Sequence, residues 1–259
     1  MASLDASTRA AKIDELSNAL IGPYLSMAAV LSALVVFIKW SNLPELAQQE
    51  AAQADDGRGI LSFPQVVLGA VAIFFYVGIE VIAGDTIGLY GQSLGLSNFA
   101  SLTSYTMVFM VIGYIIGVTC IPKLISQQKA LVGSAVAGIV CVFGVLLSSE
   151  QSTAISTVLW GWSGIATIPD SVTFVALLGL AHALVWPAVW PLALTGLGKH
   201  TAQGSALLIM GIAGGALLPL VYGQIAHVTD QTSLGYLVGF ICYGYLLYYG
   251  LAGHKKRSW

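Results

Sequence analysis

Two acidic residues lie inside a long apolar stretch of the sequence. Glu80 and Asp85 are the only charged residues in the run from 63 to 92. An ionised carboxylate in the hydrocarbon of a bilayer costs about 2.5 to 3.5 kcal/mol, so another group must compensate each acid. Two explanations stay open: the acids face a polar cavity that handles a solute or a proton, or they form hydrogen bonds between neighbouring helices.

A tyrosine stands one helical turn before the first acid. Tyr76 and Glu80 are four residues apart and therefore share one face of a helix. Asp85 lies more than about 90° away from Glu80 around an ideal helix, and the two carboxylates converge only if the helix loosens at Gly84 or Gly88. We expect at least one acid to bind a hydroxylated solute or a proton. A hydrogen bond between helices is the competing interpretation.

A second group of candidates combines histidine, tryptophan and proline. His182 and Trp186 are four residues apart and share a helix face, which Trp190 extends with some rotation. Pro187 and Pro191 each remove a backbone donor and bend the helix. An aromatic face beside hydrogen-bonding groups suits a sugar, because the ring covers the C–H side while donors and acceptors meet the hydroxyls. The competing interpretation is a tryptophan-rich helix packed against lipid, with the histidine satisfied in the core.

A third candidate is an isolated glutamine. Gln203 is the only long polar member of a stripe that continues through Leu207, Met210 and Gly214. The stripe could touch the wall of a pocket, although a stripe of this kind is more often part of a packed core. We therefore add Gln203 alone to the predicted binding residues.

Enzyme-like and metal-binding patterns are weak. Ser93 lies in a G-x-S-x-G pattern and Ser163 in a G-x-S-G pattern, but the first works only on the strand-to-helix turn of an α/β sheet and neither has a positioned base. A serine intramembrane protease is thus a minor alternative. The four histidines are scattered along the chain, which does not favour a metal site. We predict that the chain is not an enzyme and carries no cofactor.

Composition identifies the class of protein. Hydrophobic residues make up 57% of the chain and charged residues only 8%, whereas soluble domains carry about 25% charged residues. The formal net charge is −2, and no basic patch typical of nucleic-acid binding is present. The sequence therefore predicts an integral membrane protein in contact with lipid.

Apolar windows long enough to cross a bilayer predict an all-α fold with seven transmembrane helices. They cover residues 19–39, 63–90, 105–121, 130–147, 172–194, 205–226 and 234–252. The only long polar connection runs from 40 to 62. We predict two parts: residues 1–62, with an external N-terminal segment, the first transmembrane helix and a cytoplasmic linker, and residues 63–259, a six-helix bundle.

The basic residues predict the orientation in the membrane. Eight of the ten lie in alternate connections and in the C-terminal tail. Loops that face the cytoplasm carry an excess of lysine and arginine. The C-terminus is therefore predicted to be cytoplasmic and the N-terminus external.

Three stretches carry a family resemblance. They read YVGIEVIAGDT at 76–86, HALVWPAVWPLALTGLGK at 182–199 and GSALLIMGIAGGALLP at 204–219. In these stretches the chain resembles sugar transporters of the major facilitator superfamily, specifically the glucose/galactose branch of the fucose-galactose-glucose:proton symporter family. Such proteins have twelve helices in two bundles, and the resemblance aligns this chain with helix six, the central linker and the C-terminal six-helix bundle.

The resemblance implies a function for the candidate residues. Those expected at or near the sugar are Tyr76, Glu80, Asp85, His182, Trp186, Trp190 and Gln203. It also implies a hexose as substrate, a proton as coupling ion, the bacterial inner membrane as location and an N-terminal half, in the same or a separate chain, as partner. The family's proton-coupling acids lie in that other half. The alternative is a truncated or subunit-binding helical bundle that transports nothing.

Overall fold

The computed structural model describes residues 6–40, 59–121 and 123–259. Within the first range, side chains are described only for residues 18, 21–37, 39 and 40. The chain divides into two compact units, Met1–Ala51 and Ala52–Trp259. Most of the polar connection predicted at 40–62 lies outside the described residues.

The first unit contains one long helix. Helix α1 spans Ala6–Trp40 and includes the apolar segment Ile21–Phe37, which overlaps the first predicted membrane window. Pro23 lies inside the helix, and the Ser26 hydroxyl donates 2.8 Å to the Pro23 carbonyl oxygen. Lys39 in the last turn is placed favourably for the negative end of the helix dipole.

In the described residues of the second unit, every regular element is helical. The α-helices are α2 (Pro64–Ser93), α3 (Leu102–Cys120), α4 (Gln127–Leu147), α5 (Ala154–Trp160), α6 (Asp170–Ala183), α7 (Val185–Leu194), α8 (Thr201–Met210), α9 (Gly214–Thr229) and α10 (Val238–Leu251). Short 3-10 helices cover Ile60–Ser62, Phe99–Ser101, Gly161–Ser163, Gly198–His200, Gly211–Ala213, Thr232–Leu237 and Gly253–Lys255.

Six helical stretches of the described chain are long and apolar enough to cross a membrane. They are Pro64–Ser93, Phe99–Cys120, Gln127–Leu147, Asp170–Leu194, Gly198–Thr229 and Thr232–Lys255. Together with the shorter segment in α1, they confirm the all-α membrane class and match the predicted windows. The second stretch begins six residues before its predicted window. The 3-10 turn Phe99–Ser101 directly precedes α3 and extends the helical stretch toward the N-terminus.

One connection is more ordered than the sequence predicts. Residues 148–171 lie between two of the predicted membrane windows and were assigned no helix, yet they contain α5. The Asp170 carboxylate accepts a 2.8 Å hydrogen bond from the Ile155 amide, and the Asp170 amide donates to the Ser152 carbonyl oxygen at 2.8 Å. These bonds tie the start of α5 to the start of α6. A buried acid thus replaces backbone partners that the first helical turn lacks.

Two of the membrane-spanning stretches are interrupted. The fourth breaks at Leu184, between α6 and α7, because Pro187 lacks the amide that would bond to the carbonyl of Ala183. The fifth changes to a 3-10 turn at Gly211–Ala213. There α9 approaches α2 so closely that a Cβ at Gly214 would collide with the Phe74 carbonyl oxygen. The helix is thus interrupted near Pro187, as its chemistry predicts, whereas Pro191 lies inside α7 without interrupting it.

Helix α2 is the centre of the second unit. It packs against α3 and against each of the helices from α6 to α10, and more than half of its most apolar window is buried. Helix α3 differs, since most side chains of Phe99–Cys120 are exposed. The acids of α2 therefore lie on the helix that most other helices contact.

Candidate functional site

The site is built on the middle of α2. The Tyr76 hydroxyl donates a 2.7 Å hydrogen bond to Glu80 Oε1, as their spacing predicts. Tyr76 is 1% exposed, while Glu80 is half-buried. The carboxylate therefore lies where the packed interior meets an open surface, in a stretch that crosses the membrane.

Three further predicted residues, which lie on α6 and α7 near the interruption at Leu184, are close to Tyr76 and Glu80. The ring of Tyr76 lies 6.2 Å from that of His182 in an edge-to-face arrangement and 6.3 Å from that of Trp186. Trp186 in turn lies 5.6 Å from Trp190. The structure therefore brings together Tyr76, Glu80, His182 and Trp186, with Trp190 beside Trp186. We call these five residues the polar–aromatic cluster.

His182 forms the enclosed side of the cluster. The imidazole is 0% exposed, and its Nε2 lies 2.6 Å from the hydroxyl of Tyr243 in α10. The two rings are nearly parallel, with an interplanar angle of 13°. In this conformation a solute cannot reach the imidazole directly, so its predicted contact with a sugar requires movement of its neighbours.

Two polar atoms of the cluster have no partner among the described residues. Both His182 Nδ1 and Trp190 Nε1 are buried without a hydrogen bond. More than about 90% of buried polar groups in proteins are paired, because an unpaired one costs about 1 to 3 kcal/mol. Both atoms thus keep hydrogen-bonding capacity that no described residue uses, and both are enclosed in this conformation.

Two tyrosines near the site, Tyr243 and Tyr114, are not among the residues predicted from the sequence. Tyr243 contacts His182 on the enclosed side of the cluster. Tyr114 in α3 is 41% exposed and lies near Glu80. The available signal is that a tyrosine in an apolar span needs a partner for its hydroxyl. The last predicted span holds five tyrosines, however, and the sequence does not say which one faces the site.

Asp85 and Gln203 lie apart from the cluster. Helix α2 continues through Gly84 and Gly88 without interruption, so the two carboxylates do not converge, and Asp85 is exposed. Gln203 is exposed at the start of α8, with Oε1 3.3 Å from His200 Nδ1.

The His200 contacts place Gln203 near one end of the bundle. The His200 ring lies 5.2 Å from that of Phe63, immediately before α2. At 1.5 Å per residue, Phe63 is about 20 Å along the helix axis from Tyr76. Gln203 therefore contributes nothing to the polar–aromatic cluster in this conformation.

The enzyme-like serines bond to the backbone. Ser93 Oγ donates to the Tyr90 carbonyl oxygen at 2.8 Å, and Ser163 Oγ donates to the Trp160 carbonyl oxygen at 2.6 Å. Neither proton is directed to a base. Among the described residues, histidine, cysteine and acidic side chains form no group of three or more that could hold a metal ion.

Sequence comparison relates the chain to sugar transporters. No family model matches it. It is 31% identical over 252 residues to the glucose/galactose transporter of Brucella abortus biovar 1 (strain 9-941), covering 95% of this chain and 56% of that protein. The putative glucose/galactose transporter of Helicobacter pylori (strain ATCC 700392 / 26695) is 27% identical, with coverage of 96% and 58%. The L-fucose-proton symporter of Haemophilus influenzae is 24% identical, with coverage of 90% and 52%.

Structural comparison gives the same fold. The crystal structure of the major facilitator superfamily transporter FucP in the outward conformation matches with a TM-score of 0.73 at 17% identity, covering 96% of this chain and 58% of that one. The chain therefore has the major facilitator fold and spans somewhat more than half the length of its relatives. Those relatives are transporters and not enzymes, which confirms the resemblance and the prediction that this chain is not an enzyme.

Proposed function

We propose that this chain is the C-terminal half of a hexose transporter that takes glucose or galactose and is proton-coupled when joined to an N-terminal half. The observation that carries the proposal is the Tyr76–Glu80 hydrogen bond in a membrane-crossing helix, with Trp186 beside it. Relatives named as glucose/galactose transporters support the substrate class. A relative named as a fucose-proton symporter supports the coupling ion.

The cluster offers the groups that a hexose needs. The half-buried Glu80 carboxylate accepts hydrogen bonds from sugar hydroxyls, and Tyr76 keeps it oriented. Trp186 and Trp190 are partly buried and supply aromatic faces for the C–H side of the ring. The unpaired Trp190 Nε1 is buried, so it adds a donor only when its neighbours move. His182 belongs to the proposed site as its enclosed wall.

Asp85 and Gln203 take peripheral places in this proposal. Asp85 lies toward the Ser93 end of α2, and Gln203 lies toward the Pro64 end. We propose that they meet the sugar on its way to and from the cluster. The Pro64 end and the C-terminus are proposed to face the cytoplasm of a bacterium, with residues 63–259 as the transporter bundle and 1–62 as the segment that precedes it.

Exposed apolar faces of α3 and α9 are the proposed contacts for an N-terminal half. Alternating access in such transporters is the movement of one bundle against another around a central site, and one bundle cannot do this alone. Apolar side chains of α3 and α9 are exposed along much of their length, among them Val108, Val111, Ile115, Leu217 and Leu220. We propose that these faces contact the N-terminal bundle, encoded in the same or a separate chain, while the remaining outer faces contact lipid.

A non-transporting bundle is the alternative function. It is favoured by the enclosure of His182, because the His182–Tyr243 contact satisfies one nitrogen within the bundle. In that case the cluster would hold helices together and would bind no sugar.

Uptake by an assembled pair tests the proposal. The chain is co-expressed with a matching N-terminal half, and glucose and galactose uptake driven by a proton gradient is measured. Glu80→Gln and Trp186→Ala are expected to lower uptake at least tenfold. Asp230→Asn is the control, since Asp230 ends α9 in a left-handed conformation that asparagine also tolerates. Failure of the pair to transport, or uptake that both site variants leave unchanged, would refute the proposal.

A further inference from the structure

Tyr243 crosses the core of the bundle to reach the site. It lies in α10, is 0% exposed, and its hydroxyl oxygen is 2.6 Å from His182 Nε2 in α6. Gly138 of α4 makes room for its ring, because a Cβ at that position would collide with the Tyr243 side chain. Three helices therefore cooperate to hold this one contact.

The contact continues to the carboxylate. The His182 ring meets the ring of Tyr76 edge to face, and the Tyr76 hydroxyl donates to Glu80. A continuous series of side chains thus runs from α10 through α6 to the half-exposed acid on α2, although Tyr243 itself has no exposed surface.

The direction of the Tyr243–His182 hydrogen bond follows from the number of protons available. A neutral imidazole carries one N–H, and a phenol carries one O–H. If Nε2–H donates, the Tyr243 proton and the bare Nδ1 both need partners, and the described residues provide neither. If Tyr243 donates, only Nδ1–H remains unpaired. Each unpaired buried group costs about 1 to 3 kcal/mol, so the second arrangement is favoured.

We propose that Tyr243 is a positioning residue of the site. Its hydroxyl donates to His182 Nε2, fixes the imidazole in the tautomer that carries its proton on Nδ1, and braces the ring against Tyr76, which orients Glu80. The bond that forms is O–H···Nε2, and no proton leaves the phenol. The inference rests on the proposed function only where it names a hexose as the ligand of the cluster.

Nitrogen NMR of the full chain tests the tautomer directly. The chain is labelled with ¹⁵N-histidine and studied in detergent micelles, and His182→Gln assigns the resonance. Wild type is expected to show a protonated Nδ1 and a bare Nε2. In Tyr243→Phe the ring is expected to move toward the opposite tautomer or a mixture. Protonated Nε2 in wild type, or the same tautomer in Tyr243→Phe, would overturn the inference.

Control and backup variants come from the same region. Tyr248→Phe removes the hydroxyl of a tyrosine that is 39% exposed on the same helix and should leave the tautomer unchanged. If Tyr243→Phe does not fold, Gly138→Ala displaces the Tyr243 ring and should change the tautomer likewise. The wild-type spectrum alone also decides the direction of the bond.

Transport by the co-expressed pair supplies the functional readout. Tyr243→Phe is expected to raise the KM for hexose about tenfold and to change the maximal rate less, because it misplaces a binding group without removing one. Tyr248→Phe should leave both constants unchanged. If the tautomer changes in Tyr243→Phe but the KM does not, Tyr243 does not act on Glu80 through His182 and Tyr76. If the wild-type pair does not transport, the proposed function fails while the NMR result still decides the tautomer.

Discussion

The Tyr76 hydroxyl and the Glu80 carboxylate are 2.7 Å apart on consecutive turns of α2. The tyrosine is enclosed by α6 and α7, whereas the acid reaches the edge of the packed interior. This hydrogen bond therefore orients the Glu80 carboxylate, the half-buried polar group that α2 contributes to the polar–aromatic cluster. Its loss should be measurable without any change in fold.

Removing the Tyr76 hydroxyl should weaken binding through the orientation of Glu80. In Tyr76→Phe the carboxylate loses its donor, and the KM for hexose uptake by the assembled pair is expected to rise about tenfold, which corresponds to about 1.4 kcal/mol. In Glu80→Gln the amide oxygen still accepts from Tyr76, so a defect there reports the lost charge. Equal activity of Tyr76→Phe and wild type would show that the bond does not orient the acid.

The close approach of α9 to α2 should make Gly214 intolerant of a side chain. In Gly214→Ala the new methyl group meets the Phe74 carbonyl oxygen, and overpacking of this kind costs about 1 to 3 kcal/mol. The midpoint of thermal unfolding in micelles is expected to fall. Gly223→Ala in the same helix meets nothing within 4 Å, so it should leave the midpoint unchanged or raise it. A normal midpoint in Gly214→Ala would argue against this packing.

The segment after α10 should be held by a buried glutamine. Gln65 is 2% exposed, and its carboxamide, oriented to satisfy both neighbours, donates to the Lys256 carbonyl oxygen and accepts from Arg257, each at 3.0 Å. Trp259 Nε1 also donates to the Leu61 carbonyl oxygen at 2.8 Å. Gln65→Ala removes both of its bonds to the tail and should loosen the segment, although Arg257 Nη1 keeps its bond to the Thr195 carbonyl oxygen.

Trypsin susceptibility measures that loosening. Cleavage after Lys256 and Arg257, followed by mass spectrometry, is expected to become about tenfold faster in Gln65→Ala. Gln92→Ala, at an exposed position near the other end of α2, is the matched control. Equal cleavage rates in wild type and Gln65→Ala would show that Gln65 does not retain the tail.

Labelling from one side of the membrane tests the proposed orientation. Trp162 lies between α5 and α6 and is 84% exposed, and Leu124 lies between α3 and α4 and is 79% exposed. With Cys120 replaced by serine, an impermeant maleimide should label Trp162→Cys in intact cells and Leu124→Cys only after permeabilisation. Cys141 and Cys242 are buried and serve as the unlabelled background. The reverse pattern would invert the topology.

The features that the sequence predicts well are the local and periodic ones. The membrane-spanning stretches follow from apolar length, and the Tyr76–Glu80 bond follows from helical spacing. The break at Leu184 follows from proline chemistry. Each depends on residues within a few positions of one another, where the geometry of a helix leaves little freedom.

The features that the sequence misses depend on distant contacts. His182 and Tyr243 are 61 positions apart, and no spacing rule selects Tyr243 among the tyrosines of its span. Gln203 stays a predicted binding residue, but its depth along the bundle depends on the contact of His200, in the 3-10 turn before α8, with Phe63. Helix α5 is stabilised by Asp170, which follows it in the chain. Burial and depth are products of tertiary packing, and composition alone does not encode them.

The interruption at Leu184 divides one membrane-crossing stretch into two shorter helices, α6 and α7. Helix α6 holds the imidazole of His182, which lies 2.6 Å from the Tyr243 hydroxyl of α10. Helix α7 holds the indoles of Trp186 and Trp190. A tilt of α7 alone would change the distance between these indoles and His182. The width of the polar–aromatic cluster would then change without disturbing the His182–Tyr243 contact.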